Sequence, residues 1–438
     1  MTQRRIYKLQ NVDEPNLYRE SFPYTRLPRV LFDGQTVPME PAADIWVTDT
    51  TFRDGQQSRP PYTVQQIIDL FTLEHRLDGG SGLVRQSEFF LYSAKDRQAV
   101  EACMGLGFPY PQVTGWIRAV KSDFKLVREM HLAETGILTS CSDYHVFLKL
   151  KKTRKQAMEQ YLGIVRAALE EGVRPRCHFE DVTRADFYGF VVPFSTELMR
   201  LREESGVDIK IRLCDTMGYG VPWAEAALPR SVPKLVHGMI HDAGVPGELL
   251  EWHGHNDFHK VLANPATAWL YGCAVCNCSL LGIGERTGNT PLEAMVIEAA
   301  QLGGMNEKVN YAVITEIAEY YVKNLGFEIP ANYPLVGRDF NVTKAGIHAD
   351  GLLKSEEIYN CFDTHAILGR QPMVAITDKS GAAGIKHWLE ANYGIDVPKD
   401  DPRLLAIRDR VDREYEAGRD TTISDEEMHQ WYREAFGD

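Results

Sequence analysis

The sequence predicts an α/β protein built on a (β/α)8 barrel, and three observations predict it. Eight short apolar, β-branched runs fall within residues 44–280. Longer stretches with apolar residues at helical spacing separate them, which is the alternation a parallel sheet requires. Each run ends in polar or reactive residues, as the active rim of such a barrel does. An open doubly wound sheet is the alternative, but no G-x-G-x-x-G turn follows the first run.

The expected strands are DIWVTD (44–49), LVRQSEF (83–89), QVTGWI (112–117) and GILTSC (136–141). RPRCHFE (174–180), IKIRLCD (209–215), LLEWHGH (249–255) and CAVCNCSL (273–280) complete the set. Helices are expected over 63–77 and 154–172, the second closing on glycine. Residues 1–43 hold prolines and scattered aromatics and read as an extension wrapping the body. The catalytic TIM barrel is expected over 44–305, with a C-terminal helical and α+β subdomain over 306–390. Within it, 342–360 reads as neither strand nor simple helix. A charged helical tail, 391–438, follows.

Composition narrows the function. The 438 residues are 44% hydrophobic and 25% charged, as in globular proteins. A net charge of −13 argues against nucleic acid as the main partner. No apolar run of about 18 residues exists, so no membrane span is expected. The N-terminus has basic residues but no apolar run behind them, so no secretory signal is expected. Eight cysteines in a chain this long suit a reduced, cytoplasmic protein. Cys273, Cys276 and Cys278 lack the two separated pairs of a structural zinc site and read as small apolar packing.

The chemistry centres on EWHGHND (251–257). On a strand, residues two apart point to the same face, so His253 and His255 project together. Two neutral imidazoles suit a divalent metal, and Asp54, after the first strand, is the carboxylate expected to complete the set. Three protein ligands leave positions open, as a catalytic site requires. In DTTFRDGQQ (49–57), Arg53 beside that aspartate suits a developing oxyanion, and Gln57 belongs to a hydrogen-bonding wall. His145 lies just past the fourth strand.

DTTFRDGQQ, HGHND, GIGERTGN (282–289) and KAGIHADGLLK (344–354), in that order, resemble a superfamily of metal-dependent condensing enzymes. That superfamily includes 2-isopropylmalate synthase and homocitrate synthase. Its members use a (β/α)8 barrel to join acetyl-CoA to a 2-oxo acid. The resemblance covers residues 44–390. It implies Asp54, His253 and His255 as ligands of Mn2+, Co2+, Mg2+ or Zn2+, and Arg53 at the substrate oxygen. Glu88 and Arg118 would line the oxo-acid pocket, with Thr216 near a substrate carboxylate and Asn289 close to the metal. Glu180, or His348 acting with it, would be the base. His348, with Tyr359 alongside, would reach into a neighbouring subunit, implying at least a homodimer.

The chain departs from the superfamily pattern at RQSEFFLYS in the second strand, at His178, and in its extension. Its length leaves no room for a leucine-binding regulatory domain, so leucine feedback is not expected. Arg85, Arg118, Arg176 and His178 would suit a dicarboxylic oxo acid, oxaloacetate or 2-oxoglutarate, over a branched apolar one such as 2-oxoisovalerate. In this respect the pattern resembles the Re-face citrate synthase branch.

Hydroxymethylglutaryl-CoA-type lyases and aldolases share the barrel motifs but lack KAGIHADGLLK. Iron(II) oxygenases also use two histidines and a carboxylate, but on a β-sandwich. A catalytically silent binding barrel would not need Arg53, Asp54, His253, His255 and Glu180 together.

Overall fold

A computed structural model describes residues 5–437. Eight parallel strands close into a barrel in chain order. They are β1 (Trp46–Asp49), β2 (Val84–Phe90), β3 (Gln112–Ile117), β4 (Glu134–Ser140), β5 (Arg174–Glu180), β6 (Lys210–Asp215), β7 (Leu250–Gly254) and β8 (Val275–Cys278). Closure comes from β1 against β8, with Trp46 opposite Val275 and Asp49 opposite Cys278. Each expected strand is present, and its ends move by only a few residues.

Helices α1 (Val64–Asp78), α2 (Ala94–Gly105), α3 (Phe124–Glu129), α4 (Arg154–Glu170), α5 (Val192–Ser205), α6 (Val232–His241), α7 (Ala263–Leu270) and α8 (Leu292–Gly303) follow the strands. Local chemistry sets their ends. Thr63 with Gln66, and Thr153 with Gln156, form reciprocal capping boxes at the starts of α1 and α4, each cap contributing about 1 kcal/mol. Gly79 ends α1 in the left-handed region at φ +58. A Cβ there would also meet the Lys308 carbonyl oxygen at 1.8 Å, so glycine is required twice over. The apolar core lies between strands and helices, where Phe179, Leu213 and Trp252 pack with Tyr161, Phe194 and Val236.

The barrel interior is unusual. Branched apolar layers are the norm there. Here Arg176 bonds Glu88 (2.8 Å) and Glu134 (3.1 Å), and Arg212 bonds Glu251 (2.7 Å) and Glu88 (3.0 Å). Lys210 joins at Glu134, 2.9 Å away. All but Lys210 are buried. Burial alone would raise the Glu88 pKa, but Arg212, His178 and Arg176 hold it well below its usual range. Removing one member would strand a charge, at a cost of about 3–5 kcal/mol.

Hydrogen bonds tie the extension to the barrel at several points. Gln10 N donates to the Gly189 carbonyl (2.8 Å), Asn16 N to Asp143 (2.7 Å) and Ala42 N to the Trp269 carbonyl (2.9 Å). Its secondary structure among the described residues is one isolated bridge, Phe32 to Ala226.

The chain divides into two compact units between Asn310 and Tyr311. The second holds α9 (Val313–Leu325), β9 (Val342–Thr343), α10 (Gly346–Lys354), α11 (Thr364–Leu368), β10 (Met373–Val374), α12 (Gly381–Tyr393), α13 (Pro402–Glu416) and α14 (Asp425–Phe436). Its core joins Ala349, Leu352 and Trp388 to Leu404, Val411, Met428 and Trp431. Residues 391–438 thus share a core with 311–390. The ambiguous 342–360 stretch is a short strand, then α10, then a 3-10 turn. Its glycines obscured the helix. Gly351 sits where a Cβ would meet the Tyr359 ring at 2.4 Å.

Candidate active site

Strand alternation builds the site in layers. On β5, Arg176, His178 and Glu180 point inward at successive depths; on β6, Lys210, Arg212 and Cys214 do the same. The ion-pair network is the floor. Above it lies a cavity of about 190 Å³, lined by Arg53, Asp54, Gln57, Trp116, Leu138, His178, Glu180, Arg212, Cys214, Thr216, His253, His255, Glu285 and Arg286.

At one side, Asp54, His253 and His255 converge, their donor atoms all within 4.8 Å of one another. His253 Nε2 and His255 Nε2 are 3.4 Å apart, and Asp54 Oδ2 is 3.6 and 3.8 Å from them. All three side chains are buried. His253 Nδ1 lies 2.7 Å from Asn277 Oδ1, an acceptor. Nδ1 therefore carries the proton, and Nε2 presents a lone pair to the cavity. Burial is the main cause lowering both histidines, His253 to about 4, so both are neutral near pH 7. Burial would raise Asp54, but Arg53, His253, His255 and a 2.6 Å bond from Asn289 hold it below its usual value. Two imidazole lone pairs and a carboxylate aimed at one point repel unless a cation lies among them. The donor set fits a divalent metal.

Arg53 stacks over Trp116 at 4.6 Å, and its Nη1 is 3.4 Å from Asp54. It is held beside Asp54 and still faces the cavity. His178 is pushed down to about 3 by burial and Arg212, so it is a neutral donor or acceptor in the cavity wall. Gly136 makes room for it, since a Cβ there would meet His178 Nε2 at 2.6 Å and Glu88 at 2.9 Å.

Glu180 stands at the rim. Ser140 Oγ donates to its Oε2, His145 Nδ1 lies 3.0 Å away, and Lys149 lies at 3.5 Å. Burial raises its pKa, but these partners outweigh that and bring it to about 2. These contacts all fall on Oε2, and Glu180 lines the cavity. A π-helical turn, Tyr144–Lys149, presents His145 behind it. Thr216 accepts a bond from Asp181 N (2.8 Å), fixing its side chain at the wall.

Several expected residues lie elsewhere. Arg118 does not line the cavity; its side chain is 62% exposed and paired with Asp123 at 2.9 Å. Arg85, second in β2, pairs with Asp44 (3.0 Å) and lies over Trp46. Arg176 and Glu88 neutralise one another in the floor and are not free to bind substrate. Neither Asn289 nor His145 lines the cavity; Asn289 donates to Asp54 at 2.6 Å, and His145 Nδ1 lies 3.0 Å from Glu180. His348 and Tyr359 belong to the second unit, where their rings lie 4.3 Å apart and both are exposed. Sequence reasoning missed Arg212, Arg286, Trp116 and Asn277. The alternation in KIRLCD would have put Arg212 on the inward face.

An HMGL-like family profile matches residues 44–320. The chain belongs to that family. It is 59% identical over 96% of its length to a citrate (Re)-synthase of Syntrophus aciditrophicus, covering 68% of that protein. It is 53% identical to the citrate (Re)-synthase of Clostridium kluyveri, covering 96% of this chain and 94% of that one. A 2-phosphinomethylmalate synthase of Streptomyces hygroscopicus is 35% identical over 98% of both. Among solved structures, a hydroxymethylglutaryl-CoA lyase of Bacillus subtilis shares the fold, with TM-score 0.53 and 18% identity, covering 67% of this chain and 97% of that one.

Proposed function

We propose that this chain condenses acetyl-CoA with oxaloacetate, forming citrate with hydrolysis of the thioester, as an acyltransferase that converts acyl to alkyl on transfer. The observation that carries this is the 190 Å³ cavity, which brings Asp54, His253 and His255 together with Arg53, Arg212, Arg286 and Glu180. Similarity to the two citrate (Re)-synthases supports the choice of oxo acid.

Asp54, His253 and His255 would hold the divalent ion, Mn2+, Co2+, Mg2+ or Zn2+. When bound it acts as a Lewis acid on the keto oxygen. Arg53 and Arg286 line the cavity above the floor and would meet the carboxylates of the oxo acid, a contact a branched apolar acid would leave unpaired on one side. Arg212 stays paired with Glu251 and Glu88 beneath them. His178 and Thr216 add neutral polar contacts, and Gln57 closes the wall.

Glu180 takes the methyl proton of acetyl-CoA on Oε1, while Ser140, His145 and Lys149 hold Oε2. A carboxylate this stabilised is a weak base. The network must loosen, or pass the proton on to His145, as the enolate forms. The enolate carbon then attacks the keto carbon, and Arg53 faces the alkoxide that results. Water cleaves the thioester and releases CoA.

His348 and Tyr359 are assigned to the active site of a second copy, so the working form is a homodimer or larger. Their joint exposure on the second unit supports this. Seven buried free thiols and one exposed suit the reducing cytoplasm. Among the described residues no helix is long and apolar enough to cross a membrane.

The test is a panel of oxo acids with acetyl-CoA, following CoA release with and without EDTA. Oxaloacetate should turn over fastest, and EDTA should abolish release. Faster turnover with 2-oxoglutarate or 2-oxoisovalerate would overturn the substrate assignment.

A further inference from the structure

We propose that the N-terminal extension, with the loops after β4, β5 and β6, forms the docking pocket for the 3′-phospho-ADP end of coenzyme A. This rests on acetyl-CoA being a substrate.

A second cavity, about 600 Å³, lies between residues 19–28 and Tyr144, Arg184 and Tyr219. Its size is that of a pocket for a drug-sized ligand. Three guanidinium groups line it, Arg19, Arg26 and Arg184, and no carboxylate does. In a chain of net charge −13 that concentration is selective for an anion. Arg184 is paired with Asp181 at 2.9 Å. Arg19 and Arg26 have no carboxylate partner among the described residues, so both can bind phosphate oxygens by bidentate bonds.

The pocket also offers ring faces. Arg184 lies over Tyr144 at 4.0 Å and Tyr219 at 5.6 Å. Tyr24 is 93% exposed and held at φ +64. A tyrosine in the left-handed region is uncommon, and one left fully in solvent gains nothing from packing. A purine stacked on it would give both features a purpose.

The extension is pinned on either side of this segment. Tyr144 Oη donates to the Leu17 carbonyl (2.7 Å), and Arg230 donates to the Arg29 carbonyl (2.6 Å). Between the pins the Phe22 ring rests on Tyr219, with centroids 4.8 Å apart. The loop therefore bows over the barrel rim as a fixed wall.

Its position is the decisive point. Tyr144 adjoins His145, Arg184 bonds the residue after Glu180, and Tyr219 follows Thr216 on the same loop. The pocket thus abuts the wall that carries the candidate base. A ligand held here by its nucleotide directs its flexible thioester arm toward Glu180.

The test is calorimetry on the full-length protein without oxo acid, using CoA, pantetheine and ATP as separate probes. The unaltered protein should bind CoA at least tenfold tighter than pantetheine. Arg26→Ala, Arg19→Ala and Tyr24→Ala should each weaken CoA binding about tenfold, the loss of one charged or stacking contact, and leave pantetheine binding unmoved. All three side chains are exposed, so the fold should tolerate the changes. Equal CoA affinity in unaltered and variant proteins would overturn this pocket and leave the condensation reading standing. Absence of CoA binding by the unaltered protein would overturn both. ATP binding that the same variants weaken, with CoA binding unmoved, would reassign the pocket to a free nucleotide and overturn the proposal.

Discussion

His253 Nδ1 lies 2.7 Å from Asn277 Oδ1, across β7 and β8. Asn277 Nδ2 in turn donates to Thr48 at 2.8 Å, which fixes the amide so that its oxygen faces the ring. One amide therefore sets the tautomer of His253, which is proposed to hold the metal. Asn277→Ala should free the ring to turn and lower metal affinity by about 10–100-fold. Activity against added metal would read this directly: the half-saturating metal concentration should rise, with most of the turnover recovered at excess metal. An unchanged metal requirement would show that the amide does not orient His253.

Glu180 and His145 make a second pair. Glu180→Gln keeps the shape but removes proton acceptance, so kcat should fall about 10²–10⁴-fold, with metal binding intact. His145→Asn should give a smaller loss, because His145 touches Glu180 and lies outside the cavity lining. Deuterium exchange from the acetyl methyl separates the effects. Glu180→Gln should stop it, and unimpaired exchange would place the base elsewhere.

Asp49 and Glu74 form a buried carboxyl pair behind β1, away from the cavity. Burial raises both, Asp49 to about 6; Asp49 pushes Glu74 higher still, while a hydrogen bond from Glu74 eases Asp49. Folded carboxyls with raised pKa values bind protons more tightly than unfolded ones. Both states are protonated below about pH 4, so the pair costs nothing there. The penalty grows as pH rises from about 4, where the unfolded carboxyls ionise, through the folded values, and stays at its full size above them. Glu74→Gln should therefore raise the Tm at pH 8 and leave it unchanged near pH 4. A stabilisation of about 1–3 kcal/mol is expected at pH 8. An equal effect at both pH values would contradict the shared-burial account.

His348 and Tyr359 give a separable prediction about assembly. His348→Ala should cut kcat at least tenfold, a typical loss for a positioned proton-transfer group, without changing metal content. Mixing it with an excess of Glu180→Gln should restore part of the activity, since each mixed dimer then owns one intact composite site. No recovery after subunit exchange would rule out the cross-subunit role.

The barrel was legible because a period of two and a period of 3.6 alternate eight times, and Thr63 and Thr153 mark the starts of two of its helices. His253 and Glu180 were legible because they sit at strand ends, and Arg53, Asp54 and His255 because their motifs follow strands at the open rim. Depth was not. Arg176, His178 and Glu180 share one face of β5, and nothing in their spacing marks Arg176 as floor and Glu180 as rim. That depends on strand tilt and on which carboxylates arrive from β2, β4 and β7. Arg118 failed for a different reason. It sits past the last strand residue, where the inward alternation has ended, and Asp123 five residues on captures it. Arg286 lies in a loop whose path no periodicity predicts.

The most direct measurement is metal stoichiometry matched to turnover. Stripped protein titrated with Mn2+ should bind one ion per chain at the barrel site, with condensation activity rising in step. The double variant His253→Ala and His255→Ala should fold, lose that ion and lose activity. Full turnover by the stripped protein, or undiminished Mn2+ binding by the double variant, would contradict it.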